Sequence, residues 1–169
     1  DDRLEIVIAS DGSEDATVAV ARRRGDPRVQ VLDLPRVGKA TALNAAVERS
    51  TGEILVFTDA NTSFSPDAVR VLVRSFADPS VGGVAGDQVY LRPGRDDELN
   101  PADARVDVGP PTGAAVGERR YWDMDRFMKM AESHSGSVIS ATGAIYAIRR
   151  ELFVAVPDGV TDDFVTSTR

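Results

Sequence analysis

Asp59 and Asn61 stand one residue apart in the run Thr58-Asp59-Ala60-Asn61, and both carry side-chain oxygens. On an extended turn such a pair can share one hard cation, for which carboxylate and amide oxygens are the preferred ligands. The flanking residues explain how the pair would be positioned. Ile54 to Phe57 is a short apolar run behind Gly52, the pattern of a strand buried on both faces as in a parallel sheet. Beyond the turn, Ser65-Pro66-Asp67 offers a helix N-cap, a proline at the first helical position and an acid in the first turn. Ala68, Val69, Leu72, Val73 and Phe76 then recur at helical spacing. Asp59 and Asn61 are therefore expected at the C-terminal end of a buried strand, where open α/β sheets bind their ligands.

The rest of the chain repeats this alternation. Leu4 to Ala9 is a second apolar run, ending in Ser10-Asp11-Gly12-Ser13-Glu14-Asp15. Gly12 permits a tight turn. Ser13 is the expected cap of a helix with Glu14 and Asp15 in its first turn, running to Arg22–Arg24 and stopped by Gly25. Val29 to Leu32 reads as a strand. Gly38-Lys39 opens a helix that places Ala40, Leu43, Ala46 and Val47 on one face and stops near Thr51-Gly52. After the helix from Ser65 to Ala77 and an Asp78-Pro79 turn, Val81 to Leu91 reads as a strand interrupted by glycines 82, 83 and 86. Residues 92–117 are polar, rich in Pro, Gly and Asp, and aperiodic, the composition of a mobile or functional loop. Glu118 to Ser133 reads as an amphipathic helix, Val138 to Ile148 as an apolar run broken by Gly143, and Arg149 to Phe153 as a short helix. Pro157-Asp158-Gly159 turns the chain toward Thr161-Asp162-Asp163. Strands alternating with helices indicate one α/β domain across residues 1–169.

Composition narrows the function classes. The 169 residues carry a formal net charge of -7, which disfavours a broad nucleic-acid surface. No cysteine is present, so disulfides and thiolate chemistry are excluded. No run approaches the roughly 20 apolar residues of a membrane span, and Asp1-Asp2-Arg3 does not resemble a signal peptide. No Gly-x-Gly-x-x-Gly follows Leu4 to Ala9, which argues against a dinucleotide-binding dehydrogenase.

Five segments in order give the chain a resemblance to the family 2 glycosyltransferases, inverting nucleotide-sugar enzymes with a GT-A fold. These are "LEIVIASDGSEDAT" from Leu4 to Thr17, Gly38-Lys39-Ala40 through Asn44, Thr58-Asp59-Ala60-Asn61, Ala141-Thr142-Gly143-Ala144 with Arg149-Arg150, and Thr161-Asp162-Asp163. The resemblance implies a Rossmann-like, mixed but mostly parallel sheet flanked by helices. It implies a divalent metal, Mn or Mg, at Asp59 with help from Asn61, placed to stabilise the departing diphosphate. Asp11 would accept hydrogen bonds from the base or ribose, and Lys39 would offset phosphate charge. Gly143 and Asp162 would line the acceptor side. Asp163 would be the base that takes the acceptor hydroxyl proton, giving inversion in a single displacement. Donor and acceptor would be a nucleotide-sugar, uridine being the usual base, and a glycan or lipid-linked alcohol, in polysaccharide or glycoconjugate synthesis. The implied location is cytoplasmic, with the full-length enzyme at the cytoplasmic face of the membrane and homo-oligomers possible through an exposed sheet edge.

The sequence departs from the family pattern in three places. Asn61 stands for the second Asp of the metal motif, and Asp162 for the Glu that precedes the base. The family's first strand, central in its sheet, is missing before Leu4, and its later Gln-x-x-Arg-Trp motif does not occur before Arg169. The chain thus reads as a partial catalytic domain, and weak or no turnover is expected of these residues alone. Simpler readings stand beside these roles. Asp11-Gly12 and Asp59-Ala60-Asn61 also suit plain turns, Asp162-Asp163 a helix N-terminal acid pair, Lys39 and Asn44 solvent-facing positions, and Trp122 helix packing. Two other functions fit parts of the pattern. One is a sugar nucleotidyltransferase, which would want a Gly-rich basic loop near its start that the chain lacks. The other is a non-catalytic nucleotide- or sugar-binding module, which would keep Asp59 without needing Asp163.

Overall fold

The structure is a computed structural model that describes residues 3–87 and 144–160. The loop expected over 92–117, the helix over 118–133, and Gly143, Asp162 and Asp163 lie outside the described residues.

Strand β1 (Ile6–Asp11) pairs in parallel with β2 (Val29–Leu34), from Ile6 opposite Val29 to Asp11 opposite Leu34. Helix α1 (Thr17–Arg23) makes the crossover and packs on both strands. It starts later than the Ser13 cap predicted. The Ser13 hydroxyl instead accepts from Ser10 Oγ at 2.8 Å, while Asp15 Oδ1 accepts from the Thr17 N–H at 3.0 Å. Asp15 therefore supplies the local turn that starts the helix, a bond that short polar side chains offer in competition with the helix itself. Arg22 and Arg23 occupy the last turn, and Gly25 at φ 63° breaks the helix.

Helix α2 (Lys39–Arg49) follows Gly38, whose φ of 91° a side chain would resist. Its buried residues are Ala40, Ala42 and Val47. It packs along β1, and Val47 also joins the core formed by Leu55, Tyr146 and Ile148, with Leu43, Phe57 and Phe153 against it. One helix thus contributes to the packing of both sheets.

Strand β3 (Ile54–Phe57) forms where the apolar run predicted it, but its partner β5 (Tyr146–Arg149) runs antiparallel, with Phe57 opposite Tyr146. On its other edge β5 pairs antiparallel with β4 (Gly83–Ala85), giving the order β3-β5-β4. Among the described residues β1 pairs only with β2, and β3 only with β5. Phe57 stacks on Tyr146 at 4.7 Å between ring centroids and on Phe153 at 6.0 Å, so aromatic packing holds β3 to β5. Helix α3 (Ala68–Arg74) begins after the expected Ser65 cap, because Pro66 and Asp67 form a turn closed by the Ala68 N–H on the Ser65 carbonyl. A 3-10 turn, Ser75–Ala77, completes it.

Arg149 and Arg150, expected near the acceptor side, direct their guanidiniums to backbone carbonyls. Arg149 donates to Val81, Phe76 and Asp78 and lies 5.5 Å from the Phe76 ring centroid. Arg150 donates to Gly52 O at 2.6 Å, Val47 O at 3.2 Å and Ser50 Oγ. Its planar fork ties the C-terminal turn of α2 to the Gly52 carbonyl that precedes β3. No helix among the described residues is long and apolar enough to cross a membrane.

Candidate functional site

Three strand or helix ends meet at one edge of the molecule. Asp11 closes β1, Lys39 opens α2, and Asp59 lies just beyond β3. Asp11 Oδ1 accepts the N–H of Val37 at 2.6 Å and of Gly38 at 3.0 Å. The loop between β2 and α2 is thereby folded back over the end of β1. Gly12, at φ 66°, follows Asp11 and donates its N–H to Leu34 O at 2.9 Å. An added Cβ there would stand 2.8 Å from the Arg36 backbone nitrogen, so this turn admits only glycine.

The carboxylate of Asp11 therefore sets where α2 begins, and α2 sets where Lys39 stands. Lys39 Nζ lies 3.1 Å from Asp59 Oδ1. A lysine in the first turn opposes the positive end of the helix dipole, and α2 has no acidic residue in that turn. Asp59 supplies the missing negative charge from another element. Both side chains remain open to solvent, at 60% and 42% exposure, so the pair is weak and can exchange partners.

The turn carrying Asp59 and Asn61 is anchored on its other side. Thr58 Oγ1 donates to the Ala144 carbonyl at 3.0 Å, and Thr62 N–H to the Asp59 carbonyl at 3.1 Å. Asp59 thus sits beside the segment that leads into β5. The structure brings together Asp11, Lys39 and Asp59, the latter two in direct contact and the first through the loop it holds. Asn61 lies exposed on the same turn as Asp59.

Among the described residues no cluster of three or more His or acidic side chains could hold a metal. One exposed carboxylate with a nearby amide still fits a divalent ion of the kind that keeps water and takes its other oxygens from substrate phosphates. A concavity of about 330 Å³ between α1 and β2, lined by Ala21, Arg22, Gly25, Asp26, Val29 and Val31, holds none of these site residues.

The sequence suits Asn44 to a solvent-facing position and suggests no role for Thr41, but both side chains instead reach residues 156 and 158, in the segment that precedes Asp162 and Asp163 in the chain. Asn44 exchanges two hydrogen bonds with the Val156 backbone, and Thr41 Oγ1 donates to Asp158 Oδ1 at 3.0 Å. The available signal was an asparagine in the middle of an alanine-rich helix, where its poor propensity calls for a tertiary reason.

The sequence profile described as glycosyl transferase family 2 matches residues 1–155. An N-acetylglucosaminyltransferase of Mesorhizobium japonicum is 36% identical over 92% of this chain and 34% of its own length. Another, from Rhizobium leguminosarum bv. trifolii, is 38% identical over 51% of this chain and 50% of its own length. The chain thus spans half or less of the curated relatives it matches. A mannosyltransferase from Pyrobaculum calidifontis, solved in complex with GDP-Man and Mn2+, superposes with a TM-score of 0.72 at 28% identity, covering 98% of this chain and 42% of that one.

Proposed function

Because the chain belongs to glycosyl transferase family 2, with a GT-A fold, we propose that it forms the donor-binding part of an enzyme that transfers a sugar from a nucleoside diphosphate to an acceptor hydroxyl. The observation that carries this reading is the contact of Lys39 with Asp59 at the edge where Asp11 orders the loop before α2. That edge presents a carboxylate, an amide and an ammonium, the groups needed to hold a metal and a diphosphate side by side.

In this reading Asp59 holds a divalent ion, and Asn61 assists through its amide oxygen or a water. The ion, Mn or Mg, neutralises charge on the departing diphosphate. Asp11 Oδ1 is occupied by the Val37 and Gly38 N–H groups, and Oδ2 takes no hydrogen bond among the described residues, which leaves an acceptor for the base or ribose. Asp163 removes the acceptor proton as the sugar inverts, with Asp162 beside it and Gly143 leaving room for the incoming alcohol. Support for this placement comes from Thr41 and Asn44, which tie the segment before Asp162 to the helix that carries Lys39. The acceptor is a glycan or lipid-linked alcohol, and the full-length enzyme works at the cytoplasmic face of the membrane.

The relatives named N-acetylglucosaminyltransferase make UDP-N-acetylglucosamine the first donor to try. The mannosyltransferase neighbour makes GDP-mannose the second. Calorimetry with UDP and with GDP, each with and without Mn2+, is expected to show metal-dependent binding of one of them. Absence of binding by both would end the reading. In the full-length enzyme, Asp163→Asn is expected to abolish transfer while nucleotide affinity survives. Retained transfer would leave a base elsewhere, and transfer by neither protein would favour a non-catalytic binding module.

A further inference from the structure

We propose that Thr41 and Asn44 are positioning residues, which register the segment leading to the base on the helix that opens at the donor edge. The inference rests on the reading of Asp163 as that base. After β5 the chain makes a 3-10 turn, Arg150–Leu152, and residues 153–157 then run in neither helix nor strand. Val156 is nonetheless 2% exposed, so its backbone amide and carbonyl need partners that no described ladder supplies. Asn44 supplies both, accepting from the Val156 N–H and donating to the Val156 carbonyl, each at 2.9 Å. Two residues on, Asp158 Oδ1 accepts from Thr41 Oγ1 at 3.0 Å.

The two anchors lie three residues apart, on one face of α2. Lys39, which meets Asp59 at 3.1 Å, opens the same helix. From Lys39 to Asn44 the helix rises only about 7.5 Å, so the clasp grips the first turn and a half. That end of α2 is itself held, because Asp11 accepts the N–H groups of Val37 and Gly38 just ahead of it. Five residues lead from Asp158 to Asp163, a reach of at most about 18 Å when fully extended. Asp158 is thus the point from which Asp163 is tethered, and Thr41 and Asn44 fix that point. One helix sets both the donor edge and the origin of the tether, and a base must stand within hydrogen-bond reach of the proton it takes. Neither anchor is assigned a contact with the donor. Their loss should therefore spoil the chemical step and spare the affinity for nucleotide.

The test is steady-state turnover by the full-length enzyme, read as nucleoside diphosphate released from UDP-N-acetylglucosamine, or from GDP-mannose if that is the donor it accepts, with free N-acetylglucosamine as acceptor. Affinity for the same nucleoside diphosphate with Mn2+ is measured beside it by calorimetry. Asn44→Ala is expected to lower kcat by about 10- to 100-fold, the cost of a small misplacement of a reacting group, with nucleotide affinity unchanged. Thr41→Val, a milder change at one hydrogen bond, should lower kcat by about two- to tenfold, and Thr41→Ser, which keeps the hydroxyl, should match the parent. Glu5→Ala is the control for lost stability. It removes the acceptor of the Gln30 side chain and of the Thr51 N–H, at the opposite end of β1 from Asp11, and should leave kcat unchanged. Parent kcat in both Asn44→Ala and Thr41→Val overturns the proposal, as does an equal loss in Glu5→Ala or a matching loss of nucleotide affinity. Asp163→Asn separates the two claims. Transfer retained there overturns the reading of the base, whereas transfer abolished there with parent kcat in the clasp variants overturns the clasp alone. No turnover by the parent overturns both.

Discussion

Asn44 in α2 and Val156 close a two-point clasp: the Val156 N–H donates to Asn44 Oδ1 and Asn44 Nδ2 donates to the Val156 carbonyl, each at 2.9 Å. Val156 is 2% exposed, so water cannot replace either bond. Asn44→Ala leaves a buried donor and a buried acceptor without partners and should cost about 2–3 kcal/mol in urea unfolding. Asn44→Asp keeps the acceptor but sets a second oxygen against the Val156 carbonyl, and should be no better. A loss below about 0.5 kcal/mol in both would mean that the clasp contributes little.

Gly12 is constrained by both its conformation and its neighbours. At φ 66°, with the Arg36 backbone 2.8 Å from any added Cβ, Gly12→Ala must strain the turn or shift the loop. The expected loss is about 2 kcal/mol. Because that loop carries the amides on Asp11, the variant should also lower nucleotide affinity. Wild-type stability in thermal unfolding would show that the turn can relax.

Arg150 is not replaceable by lysine. Its guanidinium reaches Gly52 O, Val47 O and Ser50 Oγ at once, and a single ammonium cannot reproduce that fork. Arg150→Lys should destabilise by about 1–3 kcal/mol, read from the denaturation midpoint, with the end of α2 exchanging its amide protons faster. Equal midpoints would reassign Arg150 to the surface.

Acid should weaken the fold through a small set of carboxylates. Hydrogen bonds from the Arg28 side chain and backbone hold Asp26 down to about 2, and Thr17 and Ser80 lower Asp15 and Asp78 in the same way. These folded values lie below the unfolded carboxylate value of about 3.9. The unfolded chain therefore binds more protons between the two, and stability from these groups is full above about pH 5 and lost as pH falls toward 2. The Tm difference between the parent and Asp26→Asn should shrink across that window. A constant difference would show that the Arg28 contact does not persist in solution.

Local signals carried a large part of the fold. The apolar runs at 4–9, 29–32 and 54–57 became β1, β2 and β3, because burying Ile and Val along an extended backbone needs only neighbours in sequence to be recognised. Gly25, Gly38 and the Asp78-Pro79 turn punctuated the helices for equally local reasons. Helix starts were less legible. Ser13 and Ser65 both resembled caps, but Asp15 and Asp67 held the competing bonds that delayed each helix.

The residue types that form the candidate site were likewise written in the sequence: an acid at the end of β1, a lysine opening α2, and an acid and an amide after β3. Their convergence was not. Whether Lys39 meets Asp59, whether Asp11 reaches the loop amides, and whether Asn44 faces solvent or Val156 all depend on how separate elements pack. The same holds for β3, whose apolar pattern is indifferent to the direction of its partner and which paired antiparallel with β5. A side chain's chemistry is set by its own atoms, but its partner is set by which distant backbone is folded against it, and only the tertiary structure fixes that.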